Sequence, residues 1–139
     1  MPAAKNTTPP EYRLLVSRQL NERLQTPTLR IILETGQLFA SFRYELSVEE
    51  HRERNKLRFR ILGLRAPQIS LPGAGHARFM KEYDDLTGRC TITVVGLDGT
   101  ETTCAVHVDP NTIRVASRPS TPHVTLLINH THEQERTKR

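Results

Sequence analysis

The chain has 139 residues, a formal charge of +5 and a pI near 9.7, with 36% hydrophobic, 25% charged and 5% aromatic residues. That length suits one domain with its own core, and the hydrophobic share excludes wholesale disorder. Scarce aromatics argue against a stacking platform for single-stranded nucleic acid, and no apolar run reaches membrane-spanning length. The opening MPAAKNTTPP has no apolar signal segment, so a cytoplasmic location without membrane contact is expected. The positive charge is dispersed. Residues 43–65 hold seven Lys/Arg interrupted by four Asp/Glu, a pattern that suits weak polyanion binding rather than a phosphate-tracking block.

Residues 1–8 read as a flexible lead. Thr8-Pro9-Pro10-Glu11 has the form of a capping box with proline at the first helical position. Tyr12, Leu15, Val16 and Leu20 follow at helical spacing, and Thr26-Pro27 ends the run, predicting a helix over 9–25. Leu29, Ile31 and Leu33 begin a strand that Thr35-Gly36 should turn. A second strand is expected from Gln37 to Val48, with Leu38, Ala40, Phe42, Tyr44, Leu46 and Val48 on one face. Residues 49–55 read as a charged connection before a return through Leu57, Phe59 and Ile61. Matching the apolar rows sets Glu45 opposite Arg60.

The other face of this meander carries Ile32, Phe39, Leu62 and Leu64 beside Arg43 and Arg58. Such a patch needs a cover, either the helix 9–25 or a homodimer contact, leaving monomer and homodimer both open. Residues 66–77 form a Pro- and Gly-rich loop, and 79–83 a short strand. Further strands are expected at 112–116 and 124–128, before a disordered tail at 130–139. The domain proper therefore spans 9–129.

The stretch 88–108 is the most informative. Cys90, Ile92 and Val94 alternate with Thr91, Thr93 and Val95, and Thr102, Cys104, Val106 and Val108 with Thr103, Ala105 and His107. A two-residue turn would put the two apolar rows on opposite faces. A three-residue loop, Leu97-Asp98-Gly99 with Gly99 left-handed, pairs Ile92 with Cys104 and Cys90 with Val106, so both rows face one core. The cysteines then become diagonal neighbours, too far apart for a disulfide, and act as buried free thiols.

Asp85-Leu86-Thr87-Gly88, the Gly99 turn and the returning Cys104-Ala105-Val106-His107-Val108 resemble the F and G strands of immunoglobulin-like domains. Cys90 stands at the family's tyrosine position and Ile92 at its cysteine. The resemblance implies an antiparallel two-layer β-sandwich, here with one N-terminal α-helix. A second resemblance lies in Arg54-x-x-x-Arg58 and Gln68-Ile69-Ser70-Leu71-Pro72-Gly73, which are similar to the paired motifs of PilZ domains. It implies a cyclic-dinucleotide or other anion sensor using Arg54, Arg58, Ser70 and Gly73. Arg43 and Arg60, outside the two motifs, complete the candidate ligand-binding residues.

No catalytic set emerges: Ser70 has no base beside it, and Pro72-Gly73-Ala74-Gly75-His76 lacks a phosphate-loop lysine. Asp84, Asp85, Asp109 and Asn111 read as turn residues capping strands, and the six histidines lack zinc-ligand spacing. The expectation is a non-enzymatic binding or scaffolding module with an unknown protein partner and no cofactor or metal. Its candidate interaction patch is Ile32, Phe39, Leu62 and Leu64.

Overall fold

The computed structural model describes residues 12–21, 23, 25–39, 45–65 and 75–129. Nine strands account for most of them: β1 (Tyr12–Asn21), β2 (Thr26–Phe39), β3 (Glu45–Glu53), β4 (Lys56–Arg65), β5 (Gly75–Tyr83), β6 (Gly88–Val95), β7 (Glu101–Val108), β8 (Ile113–Ser117) and β9 (Val124–Asn129). They form one sheet in the order β8-β7-β6-β4-β3-β5-β2-β1-β9. β1/β9, β3/β5 and β4/β6 are parallel, and the remaining neighbours are antiparallel. The two ends of that order, β8 and β9, come against each other, so the sheet rolls into a nearly closed barrel.

Residues 118–123 tie the ends together. Ser120 N–H donates to Thr103 O at 3.0 Å, and Thr103 N–H donates to Ser120 Oγ at 3.0 Å. Three residues on, Tyr12 N–H donates to His123 O at 3.1 Å. One short segment thus bonds to β7 on one side and β1 on the other, limiting the exposed edge that an open sheet would leave.

A single core fills the barrel. Period-two alternation turns Leu14 and Val16, Leu29, Ile31 and Leu33, Leu57, Phe59 and Ile61, Cys90, Ile92 and Val94, and Cys104 and Val106 inward. Phe59 and Phe79 meet with ring centroids 5.7 Å apart, tilted by 58°. The β6–β7 hairpin has the register expected from its rows, Ile92 opposite Cys104 and Cys90 opposite Val106. Its loop closes through Gly96 N–H to Thr100 O at 2.9 Å, with Gly99 at φ +87°. Both cysteines are free and buried. The β3–β4 pairing also keeps the expected Leu46, Leu57, Phe59 and Ile61 row.

Several expectations are corrected. The two-layer sandwich with an N-terminal helix is replaced by one mixed sheet without a helix among the described residues. Residues 12–21 are strand β1, hydrogen-bonded between β2 and β9. The segment Leu14-Leu15-Val16 satisfies helical and strand periods alike, and two waiting strand edges decide for the strand. Residues 12–21 therefore do not form the helix expected to cover the patch. Thr35-Gly36 does not turn the chain but makes a bulge inside β2, where Thr35 Oγ1 accepts the Ala77 N–H at 3.1 Å. Residues 49–53 continue β3, so only Arg54 and Asn55 turn, with Arg54 at φ +57°. Because only Arg54 and Asn55 turn, Arg60 lies opposite Glu49 rather than Glu45, and Leu62, left unpaired in a bulge, then sets Glu45 opposite Arg65. The expected strand residues 40–44, the proposed cap at Thr8, the lead and the tail from 130 lie outside the described residues.

Candidate interaction surface

Inner and outer faces alternate along each strand, so the core rows dictate what the outer face presents. On β1, β2 and β5 the outward residues stand in register: Arg13, Glu34 and Arg78, then Leu15, Ile32 and Met80, then Ser17, Arg30 and Glu82. Parallel β9 adds Thr125 beside Arg13 and Leu127 beside Leu15. An apolar row Leu127–Leu15–Ile32–Met80 therefore crosses four strands on the outside of the barrel. Met80 is 55% and Leu127 43% exposed, while Leu15 and Ile32 are partly covered.

Ion pairs border this row on both sides. On one side Glu34, whose side chain is only 3% exposed, lies between Arg13 and Arg78, with Arg78 Nε 2.8 Å from Oε1. The register carries this line onward through Glu45 and Arg65, which pair at 2.7 Å. Charges of alternating sign thus run Arg13, Glu34, Arg78, Glu45, Arg65 across five strands. On the other side Arg30 pairs with Glu82 at 2.7 Å.

A polar seam lies where β3 meets β5. Their backbones pair only at Glu45 and Arg78. Beyond it, Tyr83 donates to Glu50 Oε2, Lys81 sits 3.8 Å from Glu50, and Arg52 lies 5.5 Å from the Tyr83 ring centroid. Arg52 also pairs with Asp85 at 2.8 Å, which raises its own pKa and lowers that of Asp85. The seam is closed by its own partners.

The sequence-derived candidates are scattered over this frame. Arg54 stands in the β3–β4 turn, Arg58 pairs with Glu101 at 2.7 Å, and Arg60 lies exposed opposite Glu49. Arg43, Ser70 and Gly73 lie outside the described residues. Lys56 and Arg65 are the two ends of β4, roughly 30 Å apart at a strand's rise per residue. The Arg54 turn and the point from which residues 66–74 depart are therefore at opposite ends of the barrel wall. Of the four apolar candidates, Ile32 belongs to the outer row described above. Leu62 and Leu64 are 54% and 48% exposed on β4, which β3 and β5 separate from β2, and Phe39 ends β2. Leu15, expected on a helical stripe, instead joins Met80 and Leu127 in the outer row. Their signal was parity: each sits on the outward phase of a strand yet is apolar.

Among the described residues no group of three His, Cys, Asp or Glu side chains converges as a metal ion requires. Asp85 is engaged by Arg52, and Asp109 lies 3.3 Å from His107 and 3.5 Å from Arg114. The thiols are poor nucleophiles, since burial pushes Cys90 up to about 11 and Cys104 up to about 12.

These features define a near-barrel, all-β domain of one mixed nine-stranded sheet, with an apolar, charge-bordered outer face. No protein-family model matches the chain, and no curated protein or solved structure is significantly similar to it. No helix among the described residues is long and apolar enough to cross a membrane.

Proposed function

We propose that the chain is a non-catalytic protein-interaction module. It docks through the outer face of β9, β1, β2 and β5 onto a protein surface that carries an apolar strip between opposite charges. The observation that supports this reading is the row Leu127–Leu15–Ile32–Met80, exposed at both ends and bordered by Arg13–Glu34–Arg78 and Arg30–Glu82. Apolar residues gathered in a row, rather than scattered singly, favour a partner over solvent. The ion pairs hold the surrounding side chains in place and so reduce the ordering cost of association. Free thiols at Cys90 and Cys104 suit a reducing, cytoplasmic setting.

Phosphate-ligand binding has weaker support. Arg58 already has a carboxylate partner, and Arg54 stands at the far end of β4 from the Ser70–Gly73 segment's point of departure.

Capture from the native host with the full chain and with Met80→Asp, followed by mass-spectrometric identification, tests the reading. A protein recovered by the wild type and lost with Met80→Asp is the expected result. Recovery that is the same for both chains overturns it.

A further inference from the structure

We infer that the partner which fits this face is a second copy of the same chain; this rests on the interaction-module reading and names its occupant. The argument comes from the order of charges around the apolar row. Along β2 the outward residues run Arg30, Ile32, Glu34, and along neighbouring β5 they run Glu82, Met80, Arg78. Each strand is positive at one end and negative at the other, and the two strands are opposed.

A two-fold axis lying along the apolar row, between two copies packed face to face, exchanges the two borders. It sets the Arg13–Glu34–Arg78 border of one copy over the Arg30–Glu82 border of the other, with the more exposed Arg78 over Glu82, and the contact occurs twice by symmetry. The uncharged members, Arg13's counterpart Ser17 among them, place no like charge opposite. Meanwhile Leu127, Leu15, Ile32 and Met80 each meet their own symmetry mate on the axis. A face whose apolar strip is its own mirror and whose borders are each other's complement is self-complementary, as an isologous dimer requires. An unrelated partner would have to supply the same alternating pattern.

The size of the face sets the strength. Four strands at about 4.8 Å spacing and five outward and inward positions at about 3.4 Å give roughly 19 by 17 Å per copy. That is small for a stable dimer, so the contact is a transient one, with a Kd of about tens of micromolar. Aligned sheet packing at about 10 Å separation accommodates it, with the exposed Met80 side chains interdigitating across the axis.

Sedimentation velocity of the full chain between roughly 1 and 200 µM, a range that brackets such a Kd, is the test. Monomer–dimer exchange is expected, weakened about tenfold or more by Met80→Asp and unchanged by Leu62→Asp, an exposed leucine on β4. A second measurement avoids the charge: Met80→Cys should cross-link to itself with a short bis-maleimide, and Leu62→Cys should not. The buried Cys90 and Cys104 thiols leave that readout clean. A chain that stays monomeric over the whole range overturns the second copy as occupant. The capture experiment then decides the module reading by itself. A dimer indifferent to Met80→Asp, with no Met80→Cys cross-link, overturns the assignment of this face.

Discussion

Tyr83 donates its phenolic hydroxyl to Oε2 of Glu50 at 2.5 Å, joining β5 to β3 along the stretch where their backbones no longer pair. Burial, reinforced by the bond to Glu50, pushes the hydroxyl's pKa well above the ordinary phenol value. The ring beneath it is 6% exposed and belongs to the core cluster. One side chain therefore does by hydrogen bonding what the strand ladder does elsewhere. Tyr83→Phe keeps the ring and removes only that bond, so unfolding should become easier by about 1–2 kcal/mol. Urea titration followed by circular dichroism measures it; an unmoved midpoint would mean that the seam is held by packing alone.

Glu34 presents a different balance. Its carboxylate is almost wholly covered and serves Arg13 and Arg78 together, and Arg13 Nε has no further hydrogen-bond partner. Removing it strands two cations, one of them partly buried. Glu34→Ala should cost about 2–4 kcal/mol, whereas Arg78→Ala, at a position mostly open to solvent, should cost under about 1 kcal/mol. Comparable losses from the two substitutions would show that the burial of Glu34 does not set the energetics.

Alkaline pH should loosen the barrel in a defined order. In the unfolded chain the thiols ionise near their ordinary value of 9.0, but in the fold only at about 11 for Cys90 and about 12 for Cys104. Between those limits the unfolded state has released protons that the folded state still holds. Stability is thus intact below pH 9 and falls as pH rises above it, each thiol weakening the folding equilibrium by up to roughly tenfold per pH unit. Tyr83, raised from 10.0, adds to the slope above pH 10. Denaturant midpoints measured from pH 8 to 11 should therefore decline more gently in Cys104→Val than in the wild type. Equal slopes would contradict the burial of that thiol.

Two turn positions test backbone strain. Gly99 holds φ +87° with open space where a Cβ would point, so Gly99→Ala should cost about 1 kcal/mol through conformation alone. Arg54 already sits at φ +57° with a full side chain, and Arg54→Gly should stabilise the β3–β4 turn by a few tenths to about 1 kcal/mol. Thermal melting of both variants gives the sign directly. A destabilised Arg54→Gly would indicate that the Arg54 side chain makes a contact that outweighs its backbone.

Local ribbons whose two faces differ sharply are written in the order of residues. In 88–108 the rows Cys90, Ile92, Val94 and Thr102, Cys104, Val106, Val108 recur at every second residue, so a one-residue slip would turn them to solvent, and the Ile92–Cys104 register follows from that and from the three-residue loop. The row Leu57, Phe59 and Ile61, the burial of both thiols and the left-handed Gly99 were legible for the same reason. Three features depend instead on long-range strand pairing. Leu14-Leu15-Val16 fits helix and strand alike, and it became a strand because β2 and β9 each offered it a ladder of backbone partners. Thr35-Gly36 has the composition of a turn, yet β5 lay alongside and kept the chain extended through a bulge. Whether inward-facing rows make two layers or one rolled wall depends on strand order, above all on the parallel pairings of β4 with β6 and β1 with β9. Alternation says which side chains avoid water; it carries no information about which distant strand will supply the neighbouring hydrogen bonds. The outer row Leu127–Leu15–Ile32–Met80 exists only once those neighbours are chosen, which is why one of its four members, Ile32, was visible beforehand and the row was not.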